Sequence, residues 1–201
     1  MSVITALTPQ VKDKNRVNVY IDGDFVCGLQ METAVKYNLK AGVSLTRERL
    51  AEIEFDSEKT KAIEKASAYI SKTMKTEKQL IDYLAGKGYG IAVISFITEK
   101  FKQYGYVDDK EYAAAYIRSV GGKKGERLIR YELRGKGVSD DDIAAAFSEN
   151  RTDEDAVFTV ADKFMRRKEA TPENVKKLYR HLVSKGFSYE DAGRAAERFK
   201  E

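Results

Sequence analysis

The chain has 201 residues, 36 basic and 32 acidic, with a net charge of +4; apolar residues make up 42% and charged ones 34%. That is enough apolar material for one or two cored domains or a short repeat array, and the small positive excess permits a nucleic-acid partner without arguing for one. The single cysteine, Cys27, excludes an internal disulfide and fits a reducing compartment. The opening residues lack a basic stretch leading into an apolar run, and no segment nears the roughly 20 apolar residues of a membrane span. The expectation is a cytoplasmic protein with no membrane contact.

The first third alternates. In RVNVYIDGDFVCGL, Val17, Val19 and Ile21 point one way while Asn18 and Tyr20 point the other, and Asp22-Gly23 supplies the positive φ angles of a tight hairpin. An earlier strand within Val3 to Val11 can pair with that hairpin. METAVKY reads as a short helix, Gly42 breaks the chain, and Thr46 caps another helix through about Phe55. Residues 1–56 therefore read as a small α+β module with seven basic and eight acidic side chains, suited to a structural or docking role. Cys27 falls in an apolar strand and reads as a buried small hydrophobe.

From Ser57 onward the period becomes helical, with Ile63, Ala66, Ile70 and Met74 on one face. Helix starts recur: Thr76 with Gln79 as a capping box, Asp108 with Glu111 in looser form, then Ser139, Thr152, Ser188, and Thr171-Pro172 as an N-cap and N1 pair. Gly88, Gly137 and Gly186 each follow a lysine at a helix end, where a left-handed C-cap favours glycine.

Those glycines lie 49 residues apart, twice, and Lys87, Lys136, Lys185 and Leu84, Leu133, Leu182 keep the same interval. Leu80, Ile129 and Leu178 keep it with apolar character; Ile94, Ile143 and Ala192 extend it into the next helix. Such a period marks stacked supersecondary units. The predicted fold is mainly α: an elongated, curved tandem array of three three-helix repeats, at 57–107, 108–150 and 151–201, after the α+β module. The shared leucines and glycines have packing and backbone reasons, and the shared lysines complement helix C-termini.

The middle copy carries something its sisters lack. Arg127, Arg130 and Arg134 cluster on one side of a helix, with Tyr131 at the edge and Lys123 and Lys124 leading in. The matching residues are Lys78, Ile81 and Ala85 in the first copy and Lys176, Tyr179 and Val183 in the third. Two readings stand side by side. One is a solvated face paired with Glu126, Glu132 and the run Asp140-Asp141-Asp142. The other is a site for carboxylates or phosphates, both of which suit arginine's planar fork. A second basic cluster, Arg166-Arg167-Lys168, has a sufficient explanation in the dipole of the helix it ends.

Catalytic chemistry finds little support. His181 is the lone histidine and reads as a surface residue on a structural helix, no Cys/His cluster has metal-ligand spacing, and GGKKGE at Gly121 reads as an interhelical loop rather than a P-loop. No enzyme, cofactor or metal is expected.

GYVDDKEYAAAYIRS from Gly105 to Ser119, followed by GERLIRYELRGKGV from Gly125 to Val138, resembles the central signature of the RecX family of recombination regulators. The matching residues are Gly105, Tyr106, Asp108, Asp109, Ala113, Arg118 and Ser119, then Gly125, Arg127, Ile129, Arg130, Glu132, Leu133, Arg134, Lys136 and Gly137. RVNVYIDGDFVCGL resembles the N-terminal hairpin of longer members, so the likeness covers nearly the whole chain. Glu126 stands where the family usually has proline, and Leu128 where it often has a second basic residue; both dilute the stripe's charge.

The resemblance implies a modulator that binds the RecA recombinase, the protein that polymerises with ATP on single-stranded DNA. Such proteins lodge along the filament groove and limit filament growth, ATP hydrolysis and strand exchange. On this reading Lys123, Lys124, Arg127, Arg130 and Arg134 meet acidic RecA surface or nearby DNA phosphate, and the protein acts as a monomer without a cofactor. The competing reading is a helical module that binds DNA directly, since a glycine-joined helix pair superficially resembles a helix-turn-helix. Against it, charge by segment is +4 for 57–107, −1 for 108–149 and +2 for 150–201, which makes no continuous basic track.

Overall fold

The structure, a computed structural model, describes residues 2–150 and 155–200. It is mainly helical, with a small N-terminal sheet, and its contacts divide it into two compact units. Unit one comprises Met1–Thr73 with Leu80–Tyr104, and unit two comprises Met74–Gln79 with Gly105–Glu201. Among the described residues no helix is long and apolar enough to cross a membrane.

Unit one opens with β1 (Ser2–Pro9), β2 (Arg16–Ile21) and β3 (Asp24–Gln30), followed by α1 (Met31–Lys36) and β4 (Ser44–Leu45). The sheet is antiparallel in the order β3-β2-β1-β4. Asp22 and Gly23 form the two-residue turn with φ of 52° and 95°, the paired positive angles that match strand twist in a hairpin. Val17 and Val19 are buried with Ile4, Leu29, Ala34, Leu45 and Ile53 in one core. The alternation read from the sequence is therefore the buried face of β2. The two-residue β4 was too short to leave a periodic signal.

The helix capped by Thr46 does not stop near Phe55. Thr46 Oγ1 accepts from the Arg49 amide at 3.2 Å, and α2 runs from Arg47 to Ile70. Residues 47–70 contain no glycine or proline to end it, so position 56/57 falls inside a continuous helix. Its buried residues are Ile53, Ser57, Ala62 and Ala66, and Ser57 Oγ accepts the Gln30 amide at 2.7 Å. Of the apolar face expected here, Ala66 is buried, Ile63 and Ile70 are half-buried, and Met74 is exposed. Cys27 is also only half-buried, at the margin of the sheet core. Burial, then the Glu54 carboxyl, pushes its thiol up to about 12, so it stays protonated at neutral pH.

The remaining helices are α3 (Glu77–Gly86), α4 (Ile91–Gln103), α5 (Asp109–Val120), α6 (Glu126–Gly135), α7 (Asp140–Glu149), α8 (Ala156–Met165), α9 (Pro172–Ser184) and α10 (Tyr189–Glu197). Their starts follow the caps. The Thr76 amide donates to Gln79 Oε1 at 3.1 Å while Thr76 Oγ1 accepts the Gln79 amide at 3.2 Å, a reciprocal box. Asp108, Ser139, Thr171 and Ser188 each accept from the amide three residues on. The expected cap at Thr152, and the junction expected at 150/151, involve residues outside the described set.

Gly88, Gly137 and Gly186 have φ of 85°, 90° and 88°. At each corner the amide after the glycine, on Tyr89, Val138 or Phe187, donates to the carbonyl of Leu84, Leu133 or Leu182. Each leucine thus closes its helix end with its backbone and fills a core with a fully buried side chain. In unit two, α5, α6 and α7 enclose one core around Ile117, Ile129, Leu133 and Ile143. There α8, α9 and α10 enclose a second core around Val157, Leu178, Leu182 and Phe187. The sheet module followed by helical three-helix units is the architecture expected from the sequence.

Candidate partner-binding cleft at the start of α6

The arginine-bearing helix α6 starts where another helix ends. The Gly125 amide donates to the Lys185 carbonyl at 2.9 Å, and the Arg127 amide to the Gly186 carbonyl at 3.2 Å. The first-turn amides that a helix leaves unpaired are thus met by the C-terminal carbonyls of α9. The backbones lie so close that a Cβ on Gly125 would come within 2.3 Å of Gly186 and Phe187. A Cβ on Gly186 would come within 2.4 Å of the Leu128 backbone.

The same joint occurs a second time in unit two, 49 residues earlier. Thr76 Oγ1 donates to the Lys136 carbonyl at 2.7 Å, and a Cβ on Gly137 would come within 2.3 Å of Lys78 Cβ. The repeated lysine-glycine pair therefore does more than end a helix: its carbonyl and its missing Cβ make a docking corner.

Beside the Gly125–Gly186 joint lies a cleft of about 570 Å³. Lys124, Arg127 and Arg130 line it from one side, and Ser188, Asp191 and Arg194 from the other. Arg127 is exposed, its guanidinium 5.0 Å over the Tyr189 ring, and no carboxylate pairs with it among the described residues. Arg130 is half-buried, 4.6 Å over the Phe147 ring, and ion-paired with Glu126 one turn earlier at 2.6 Å. Arg194 pairs with Asp191.

Of the five basic residues singled out in the sequence, Lys124, Arg127 and Arg130 line this cleft. Arg134 lies outside the cleft and pairs with Asp140 at 2.7 Å. Lys123 is exposed and also outside it. Lys124 lines the cleft but is held by Glu132 at 2.6 and 2.8 Å, with Tyr116 Oη donating to the same carboxylate at 2.6 Å. That carboxylate holds the Lys124 ammonium above its usual range. Burial pushes Glu132 up, but Lys124 and Tyr116 outweigh it and leave the carboxyl lowered. The solvated-face reading thus accounts for Arg134 and in part for Arg130, whereas Arg127 stays open toward solvent.

Sequence reasoning missed Asp191 and Arg194, which line the cleft from α10, and Tyr189, whose ring lies under Arg127. The signal was present in the joint's 49-residue interval, but the glycines were read as helix ends alone. His181 also differs from the surface residue expected. It is half-buried and stacked on Phe164 with ring centroids 4.7 Å apart. Burial first, then Lys185 and Lys168, holds its imidazole below the ordinary value of 6.5.

Fold and cleft define a class: an N-terminal sheet module joined to glycine-cornered three-helix repeats, one of which bears an arginine-lined cleft. Residues 2–46 match the RecX N-terminal domain of regulatory proteins, and residues 108–146 match the second three-helix domain of RecX. A regulatory protein RecX of Clostridium perfringens is 34% identical over 94% of this chain and 92% of its own length. One of Bacillus licheniformis is 32% identical over 94% of this chain and 74% of its own. A crystal structure of regulatory protein RecX superposes with a TM-score of 0.67 at 26% identity, covering 98% of this chain and all of the other. RecX from Lactobacillus salivarius gives 0.62 at 25% identity over 70% of this chain and 95% of its own. The chain belongs to the RecX family of regulatory proteins.

Proposed function

We propose that this protein binds RecA filaments assembled on single-stranded DNA and restrains them, limiting filament growth, ATP hydrolysis and strand exchange. The observation that carries the reading is the arginine-lined cleft at α6. Arg130 occupies a position that the sister repeats fill with Ile81 or Tyr179, so the repeat fold does not require a cation there, and Arg127 stands where the sisters carry Lys78 and Lys176. Membership of the RecX family supplies the partner. Arg127 and Arg130 lie over aromatic rings and line the cleft, and a guanidinium there suits carboxylates on a protein surface or phosphate. Lys123 and Arg134 extend the contact on either side, and Lys124 positions the loop that leads into α6.

The test separates contact residues from structural ones. Arg127→Glu should weaken inhibition of RecA at least tenfold with unchanged helicity, because no internal ion pair is lost. Arg130→Glu and Arg134→Glu should add to that loss. Lys124→Glu should lower thermal stability, because it sets two carboxylates against each other at Glu132. Undiminished inhibition by Arg127→Glu combined with Arg130→Glu would remove the cleft from the site. Direct action on DNA is the competing outcome, recognised by inhibition that appears only as the DNA itself becomes saturated.

A further inference from the structure

The glycine corners of unit two are shut. Gly137 is pressed against Lys78 and Gly186 against the Leu128 backbone, and the residues that follow, Val138 and Phe187, are 4% and 7% exposed. The corresponding corner of unit one is open. Among the described residues a Cβ on Gly88 would meet nothing within 4 Å, and Tyr89 is half-exposed.

A cavity of about 380 Å³ lies at this open corner, and its lining is basic. Arg16 reaches it from β2, Lys61 and Lys65 from α2, and Lys87 and Tyr89 from the corner itself, with Glu58 the one acid among its lining residues. Internal partners neutralise little of this charge. Arg16 donates to the Gly28 carbonyl at 2.7 Å, Lys61 stands 3.5 Å from Asp13 with both about one-third exposed, and Lys87 lies over the Tyr83 ring. Tyr83, which is not a lining residue, is itself stacked flat on Tyr69 at 4.0 Å, so Lys87 rests on an aromatic pair, and Tyr89 is the aromatic residue of the lining.

We propose that the open corner binds single-stranded nucleic acid, with Lys61, Lys65 and Lys87 on phosphates and Tyr89 offering a face to a base. Three of the four cations are lysines, compact point charges that suit phosphate, while the fork of Arg16 is already engaged by a carbonyl. Cations interleaved with aromatic faces are the arrangement that takes a strand's backbone and bases together. An acidic peptide would use the charges and leave Tyr89 without a role. The site shares no lining residue with the α6 cleft and does not depend on RecA.

The test uses the full chain and a fluorescent oligothymidylate of about 20 nucleotides, without RecA, by anisotropy across a salt series. Lys61→Gln, Lys65→Gln and Lys87→Gln combined should weaken binding at least tenfold at low salt. They should also flatten the slope of log K against log salt by about 2, at roughly 0.7 per phosphate contact on single strands. Tyr89→Leu should weaken binding about fivefold or more with the slope unchanged, because stacking is not a counterion effect. Thermal melts of both variants establish that they fold. Three results would overturn the proposal: no salt-dependent binding by the wild type, full binding by the triple variant, or competition by polyglutamate as effective per charge as by unlabelled oligonucleotide.

Discussion

Gly186 and Gly88 share a backbone angle and a place in the repeat, yet substitution should separate them. Alanine at Gly88 meets only the left-handed penalty of about 1–2 kcal/mol, since the space is open. Alanine at Gly186 adds a collision with the Leu128 backbone and should lose about 1–3 kcal/mol more, as overpacking does. Urea unfolding of the two variants checks the difference; equal losses would mean that the joint yields at little cost. The sequence revealed the left-handed angle at both glycines, because a lysine-glycine helix end has a local cause. It did not reveal which corner is jammed, because the neighbour is remote in the chain. Asp56 offers a second test. Hydrogen bonds from Lys36, then Lys59, hold its carboxyl down to about 2 from an ordinary 3.8. A carboxyl lowered by folding stabilises the fold above its unfolded value, and that contribution is lost as pH falls from about 4 toward 2. Asp56→Asn should therefore lower stability at neutral pH and flatten the pH dependence in that window, which acid titration of the melting temperature would show.

Among the elements, α3 and α6 are organised by their first turns. Thr76 is fully buried and serves two partners, accepting the Gln79 amide and donating to Lys136. Thr76→Val keeps the shape and removes both bonds, leaving a carbonyl and an amide unsatisfied. A loss of about 2–3 kcal/mol is expected, above the roughly 1 kcal/mol of a cap alone. A loss no greater than that of Ser139→Ala would mean the bond to Lys136 contributes nothing. The capping box itself was legible, since its partners stand three residues apart. The bond to Lys136 spans 60 residues and left no local trace. The end of α2 was misread for a related reason. The change from alternating to helical periodicity near Ser57 suggests a boundary, but residues 47–70 hold no stop signal and the helix continues past it.

For the whole molecule, the 49-residue period carried most of the fold, because each repeat sets the same leucines into its core and the same glycine at its corner. The candidate site was half legible. Arg130 stood out because the sister copies hold Ile81 and Tyr179 in its place, whereas Asp191 and Arg194 enter the cleft only through the folded joint. If the cleft meets RecA and the Gly88 corner meets a single strand, the assembled filament offers both partners to one chain. Linked contacts then favour filament over free subunits or bare DNA, which allows a small protein to change the state of a polymer. The most direct measurement is ATP hydrolysis by RecA on single-stranded DNA, with this protein titrated from substoichiometric amounts. Hydrolysis should fall well below one copy per RecA. Unchanged hydrolysis, or a fall only when the protein saturates the DNA, would contradict a regulator directed at the filament.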